Sequence, residues 1–226
     1  MKTMSRIERI VGGLFIVATV SSSLGFLLVD PILDDQDVLA SVSSDEMRIL
    51  AAGSLLLINC VAVVVIPFLV YPIFRKHNET LARLYPGARI VESVVLVIGV
   101  VGLLSLLTLS DGYEPASANA QSLQAASDAL VAVYDWGVLL GVLFFFGLSA
   151  LLLNSLLYQT QLVPRWLSAW GLLGAVALMT EGFLEAFDVE GLEIMSLPIA
   201  VQEMVFAVWL IAKGFSSGKS HTVTQS

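Results

Sequence analysis

The stretch Arg89-IVESVVLVIGVVGLLSLLT-Leu109 decides how this chain is read. Past Glu92 no charged residue interrupts it as far as Leu109. A helix rises 1.5 Å per residue, so ~20 such residues cross the ~30 Å hydrocarbon of a bilayer. No water is available at that depth, and backbone amides must pair within the segment, which makes the run a helix. Further runs of the same kind occupy residues 7–29, 47–74, 130–158, 166–187 and 196–215. The expected fold is therefore all-α: a polytopic membrane helix bundle of about six transmembrane helices.

Composition points the same way. Apolar residues make up 57% of the chain and charged residues 13%, against ~25% charged in an ordinary soluble domain. Once the runs are subtracted, little of the 226 residues remains, so a single integral membrane domain is expected. The one cysteine, Cys60, rules out an intramolecular disulfide. Lys2, Arg6 and Arg9 ahead of an apolar run have the look of a signal peptide. The run resumes through residues 24–29 with no A-x-A-like site, so it reads as an uncleaved first span.

The net charge of −8 is sharply partitioned. Lys2, Arg6 and Arg9, then Arg75, Lys76, Arg83 and Arg89, then Arg165, then Lys213 and Lys219 fall on alternate sides of the runs. The intervening segments carry Asp30, Asp34, Asp35, Asp37, Asp45 and Glu46, then Asp111, Glu114 and Asp128, then Asp188, Glu190 and Glu193. Arg48 alone breaks the pattern. Because Lys and Arg are held back from translocation, both termini are expected in the cytoplasm, in a cell membrane. Residues 31–46 and 110–129 read as outer loops, the second extending the fourth helix outwards through 116–129. Pro67 and Pro72 are expected to kink or end the second helix, and Pro164 to sit in the first turn of the fifth.

An ionisable side chain in hydrocarbon costs ~3 kcal/mol, so each one needs a partner, a cavity or a role. Counted from the helix ends, these groups fall in two layers. The inner layer holds Arg89, Glu92 and Asn154, with Arg89 and Glu92 spaced i, i+3 for pairing on one face. Arg165 joins them in a candidate inner-leaflet charge site, since guanidinium groups suit a lipid phosphate. The outer layer holds Asp135, Glu181 and Glu185 (i, i+4), Gln202 and Glu203. If their helices are neighbours, these carboxylates line one outward pocket of the kind that carries protons. Gln202 and Glu203 point ~100° apart around their helix. Glu203 is expected to face the bundle centre and Gln202 a neighbouring helix. Asn59 and Ser21, Ser22 and Ser23 read as small or polar packing residues at helix interfaces.

The missing residue types exclude several functions. His77 and His221 both lie outside the runs, which argues against membrane zinc or di-iron sites, so no metal and no cofactor is expected. No lysine stands inside a run except Lys213, at the cytoplasmic end of the last one, and there is no G-x-S-x-G, P-loop or CxxC. The basic loop around Arg75, Lys76 and Arg83 is suited to anionic phospholipids, and nucleic acid is not an expected partner. The oligomeric state is left open.

Four segments carry a family resemblance: YPIFRKHNE (71–79) with GARIVE (87–92), LVPRWLSAWG (162–171) and PIAVQEMVFAVWLIAKGF (198–215). Together they resemble a bacterial family of about six-span membrane proteins catalogued as domain of unknown function 4386. The resemblance implies a multi-pass fold and supplies no substrate. It carries Arg89, Glu92, Arg165, Gln202 and Glu203 as family-pattern positions, while Asp135, Glu181 and Glu185 lie outside that pattern.

The reading that follows is a small proton-linked transporter or permeation protein with a buried carboxylate site. The competing readings are an inner-leaflet lipid-modifying enzyme, for which no nucleophile or metal is found, and a non-catalytic membrane scaffold. The balance leans against an enzyme.

Overall fold

The computed structural model describes residues 6–187, 189 and 193–216. Lys2, Asp188, Glu190, Lys219 and His221 lie outside the described residues. The order is α1 (Arg6–Leu33), α2 (Val38–Ser44), α3 (Glu46–Phe74), α4 (Glu79–Ser110), α5 (Ala120–Val138), a π-helical segment (Leu139–Phe146), α6 (Gly147–Thr160), α7 (Arg165–Glu185) and α8 (Leu197–Ala212), with a 3₁₀ turn at Glu193–Met195. α5, the π segment and α6 form one rod, Ala120–Thr160. No strand occurs among the described residues.

Five helices are long and apolar enough to cross a membrane: Arg6–Leu33, Glu46–Phe74, Glu79–Ser110, Ala120–Thr160 and Arg165–Glu185. Their outward faces leave Leu27, Val61, Ile98 and Leu173 more than half exposed. Apolar surface of this extent belongs against lipid rather than water and fits a membrane protein. The sixth apolar run forms the shorter α8, of 16 residues. It ends early because Gly214 adopts a left-handed φ of 67° and its N–H turns back to the Leu210 carbonyl at 3.1 Å.

The helix ends depart from the hydropathy runs in an instructive way. α4 starts at Glu79, ten residues before Arg89, because Asn78 accepts a 3.1 Å bond from the Leu81 N–H and caps the helix. Pro86 lies inside α4 and Pro67 and Pro72 inside α3, so none of the three ends its helix where it stands. α5 begins at Ala120, so the second half of the 110–129 loop does extend that rod. Within the 31–46 loop, Asp37 caps α2 by accepting from the Ala40 N–H at 3.2 Å.

The long elements close a ring. α1 packs against α3 and α8, α3 against α4, α4 against α5 and the π segment, α6 against α7, and α7 against α8. Small residues set the closest crossings, as expected where backbones must approach in lipid. A Cβ on Gly137 would stand 2.6 Å from Gly99 Cα, joining α5 to α4. A Cβ on Gly12 would stand 2.7 Å from the Ala207 carbonyl, joining α1 to α8.

At one end of the ring, Phe215 N–H donates to Glu8 Oε1 (3.1 Å) and Ser216 N–H to the Leu162 carbonyl (2.7 Å). Exposed Arg75, Lys76, Arg165 and Lys213 also belong to this basic end. The opposite, acidic end is tied by the Tyr113 hydroxyl to Asp37 Oδ2 (3.2 Å). There the Asp37 N–H holds the Asp35 carboxyl below the usual carboxylate range.

Candidate functional site

The ring encloses a cavity of about 490 Å³. Every rod contributes to its wall: Thr19 and Ser22 from α1, Asn59 from α3, Arg89 and Glu92 from α4, Phe146 from the π segment, Glu181 from α7 and Glu203 from α8. Towards the basic end, Phe15 and Phe206 pack edge to face at 5.3 Å, within an apolar cluster that includes Tyr85 and Leu210. That cluster forms the floor. Towards the acidic end the lining reaches exposed Asp30 and Glu185.

At the floor stands a charge cluster shared by two helices. Arg89 Nη1 donates to Glu92 Oε1 at 2.9 Å and to Oε2 at 3.3 Å. Arg89 Nη2 donates to Glu203 Oε1 at 3.3 Å. The Ser149 hydroxyl meets Glu92 Oε2 at 3.0 Å. Only 2% of the Arg89 side chain is exposed, against 6% for Glu92 and 13% for Glu203. The guanidinium also lies over the Phe146 ring (5.0 Å) and the Tyr85 ring (5.7 Å), which supply cation–π contact away from water. One cation therefore stands between two carboxylates, and a single proton decides whether the trio is neutral or carries net charge.

The expected separation into inner and outer layers does not hold, because Glu203 bonds to Arg89. It fails because α4 begins at Glu79, which places Arg89 ten residues into its helix, a depth that Glu203 also has from the basic end of α8. Glu203 is thus not an isolated acid in an apolar setting. The i, i+3 pairing of Arg89 with Glu92 does form, and the expected faces of α8 are found. Glu203 lines the cavity, while Gln202 is buried against neighbouring helices and donates to Asn154 Oδ1 and to the Leu167 carbonyl, both at 3.2 Å. Asn154 in turn donates to the Ala150 carbonyl at 2.9 Å, in space left by Gly171, where a Cβ would meet Asn154 Oδ1 at 2.2 Å.

Of the remaining candidates, Glu181 and Glu185 both line the cavity, buried and exposed respectively. Asp135 does not line it, because its face of α5 is exposed. Arg165 is exposed, with its guanidinium 5.5 Å from the Tyr158 ring, and it does not line the cavity with Arg89. Ser22 and Ser23 were expected to pack between helices but face the cavity, as does Asn59.

Ser149, Phe146 and Asp30 were not singled out by sequence reasoning. Ser149 and Phe146 sit within apolar runs, and their place beside Arg89 depends on the π segment, whose wider turn shifts the register of the rod. π segments of this kind recur at functional sites. Asp30 gave a signal, an acid at the end of a span, but was counted with the outer loop. Cys60 and Ser93 bond across α3 and α4, the Ser93 hydroxyl reaching the Cys60 carbonyl at 3.3 Å, so Cys60 is buried in packing. Among the described residues, no three His, Cys, Asp or Glu side chains are grouped so as to hold a metal ion.

No curated protein and no solved structure matches the chain. The family model described as "Domain of unknown function (DUF4386)" matches residues 10–214, which include every member of the floor cluster, and the chain belongs to that family.

Proposed function

We propose that this protein is a small proton-linked transporter or permeation protein whose substrate enters the central cavity. The observation that carries the reading is the continuity of the cavity from exposed Asp30 and Glu185 down to the buried Arg89–Glu92–Glu203 cluster. An unbalanced charge at membrane depth costs ~3 kcal/mol. A proton arriving on either carboxylate therefore changes which acceptor Arg89 holds and how the floor packs. The closed apolar cluster around Phe15 and Phe206 stands where a second gate belongs in alternating access.

The same reading has the chain crossing the plasma membrane six times, with α8 as the sixth span and the basic end in the cytoplasm. The Lys and Arg asymmetry supports this orientation. Exposed Arg75 and Lys76 then face anionic headgroups, at ~1 kcal/mol per basic residue. The lipid-enzyme alternative calls for Arg89 and Arg165 on one phosphate, and Arg165 lies on the surface over Tyr158 instead.

Proton flux into pyranine-loaded proteoliposomes under an imposed potential tests the proposal. Wild-type vesicles should acidify faster than empty ones, and Glu203→Gln or Glu92→Gln should return the rate to that of empty vesicles. Unchanged flux in both variants would remove the floor cluster from the mechanism.

A further inference from the structure

We propose that the cavity above the floor cluster binds an amphiphilic organic cation, a protonated amine or an onium ion with an apolar body. This deepens the transport reading by naming the ligand class. The argument begins with charge. Asp30 from α1, Glu92 from α4, Glu181 and Glu185 from α7 and Glu203 from α8 line the cavity, and Arg89 is its sole cationic lining residue among those described. Both terminal nitrogens of Arg89 are already directed at Glu92 and Glu203. α3 and the π segment add no charged group to the lining. A ligand that enters is thus met by a surplus of carboxylates along α7 and α1. Anions are disfavoured by the same field, which low-dielectric walls concentrate.

The second part of the argument is shape and polarity. Between the carboxylates the walls are apolar and aromatic, with Phe15, Phe26 and Phe146 from two sides. A volume of about 490 Å³ lies within the range that holds a small organic molecule. Aromatic faces attract a cation that has shed its water, whereas a strongly hydrated inorganic ion gains nothing from them. The carboxylates are also spread along the wall, with no three of the described acids grouped as metal ligands. Glu181 and Glu185, one turn apart on α7, form a track from mouth to interior. At the end of it Arg89, 98% buried, is held by Glu92 and Glu203.

The test uses two probes of one shape and opposite charge, tetraphenylphosphonium and tetraphenylborate, with the full-length protein in nanodiscs and empty nanodiscs as control. The expected result is saturable binding of tetraphenylphosphonium only, weakening as pH is lowered because protons neutralise the carboxylates that face it. Glu181→Gln should weaken it at least about tenfold, a modest effect for one charge removed from a partly desolvated site. Asp30→Asn, at the exposed mouth where folding is not at stake, should weaken it by a smaller factor and serves if Glu181→Gln fails to fold. Equal binding of the borate, or no saturable phosphonium binding by the wild type, overturns the proposal. So does unchanged affinity in both variants. Phosphonium binding without proton flux would refute the transport reading alone, and flux without phosphonium binding would refute this assignment alone.

Discussion

Removing Arg89 is the most searching perturbation of the floor cluster. In Arg89→Leu the apolar volume is largely kept, but Glu92 and Glu203 lose the cation that stands 2.9 and 3.3 Å from them. One carboxylate more than before must then be neutralised by a proton to remain buried. With an ordinary carboxyl value of about 4.3 and 1.36 kcal/mol per unit, that costs about 3.7 kcal/mol at pH 7. Loss of the guanidinium contacts with Phe146 and Tyr85 adds roughly 0.5–2 kcal/mol. The folded variant holds a proton that its unfolded chain releases at pH 7, so its stability rises as pH falls. The first contribution should shrink to about 2.3 kcal/mol at pH 6 and about 1 kcal/mol at pH 5. Adding Glu92→Gln removes the extra carboxylate and should recover at least about 2 kcal/mol, leaving the aromatic part of the loss. Reversible unfolding in mixed detergent micelles at the three pH values measures all of these. Additive single and double variants, together with a loss that does not change with pH, would show that Arg89 is not the counter-charge of this cluster.

Three further outcomes follow from packing and charge. Gly137→Ala should destabilise the protein by about 1–3 kcal/mol through the clash with Gly99, whereas Gly13→Ala, with nothing within 4 Å of the added methyl, should be neutral or stabilising. Equal thermal shifts for the two would refute the close α4–α5 crossing. Gln202→Leu strips the Asn154 amide oxygen and the Leu167 carbonyl of their donor and should cost about 1 kcal/mol. Asn154→Leu in the same background should then cost little more, and a second full loss in that double variant would show no coupling. In a Cys60→Ser background, single cysteines at Asp35 and Asn119 should react with an impermeant maleimide on intact cells and one at His77 should not. Labelling at His77 would reverse the proposed orientation.

How much of this was legible in the sequence can be judged from particular residues. Arg89 and Glu92 declared their pairing, because i, i+3 spacing on a helix fixes their distance before any tertiary contact forms. The apolar runs likewise announced helices, since hydrocarbon leaves a backbone no other way to satisfy its amides. They gave the sixth a full span like the others, where the structure has a helix of 16 residues. Both faces of α8 were readable from the 100° step between Gln202 and Glu203. The partner of Glu203 was not readable, because it is 114 positions away in the chain and the depth of each helix depends on where its neighbours stop. α4 begins at Glu79, ten residues before Arg89, and that carries the guanidinium inward to Glu203. The presence of Ser149 and Phe146 at the same point depends on the π turn, which has no composition of its own in an all-apolar run. Charge sign and helical period belong to the local chain and survive in any fold. Which carboxylates share one arginine, and that a cavity separates them from Glu181 and Asp30, exist only once the ring has closed.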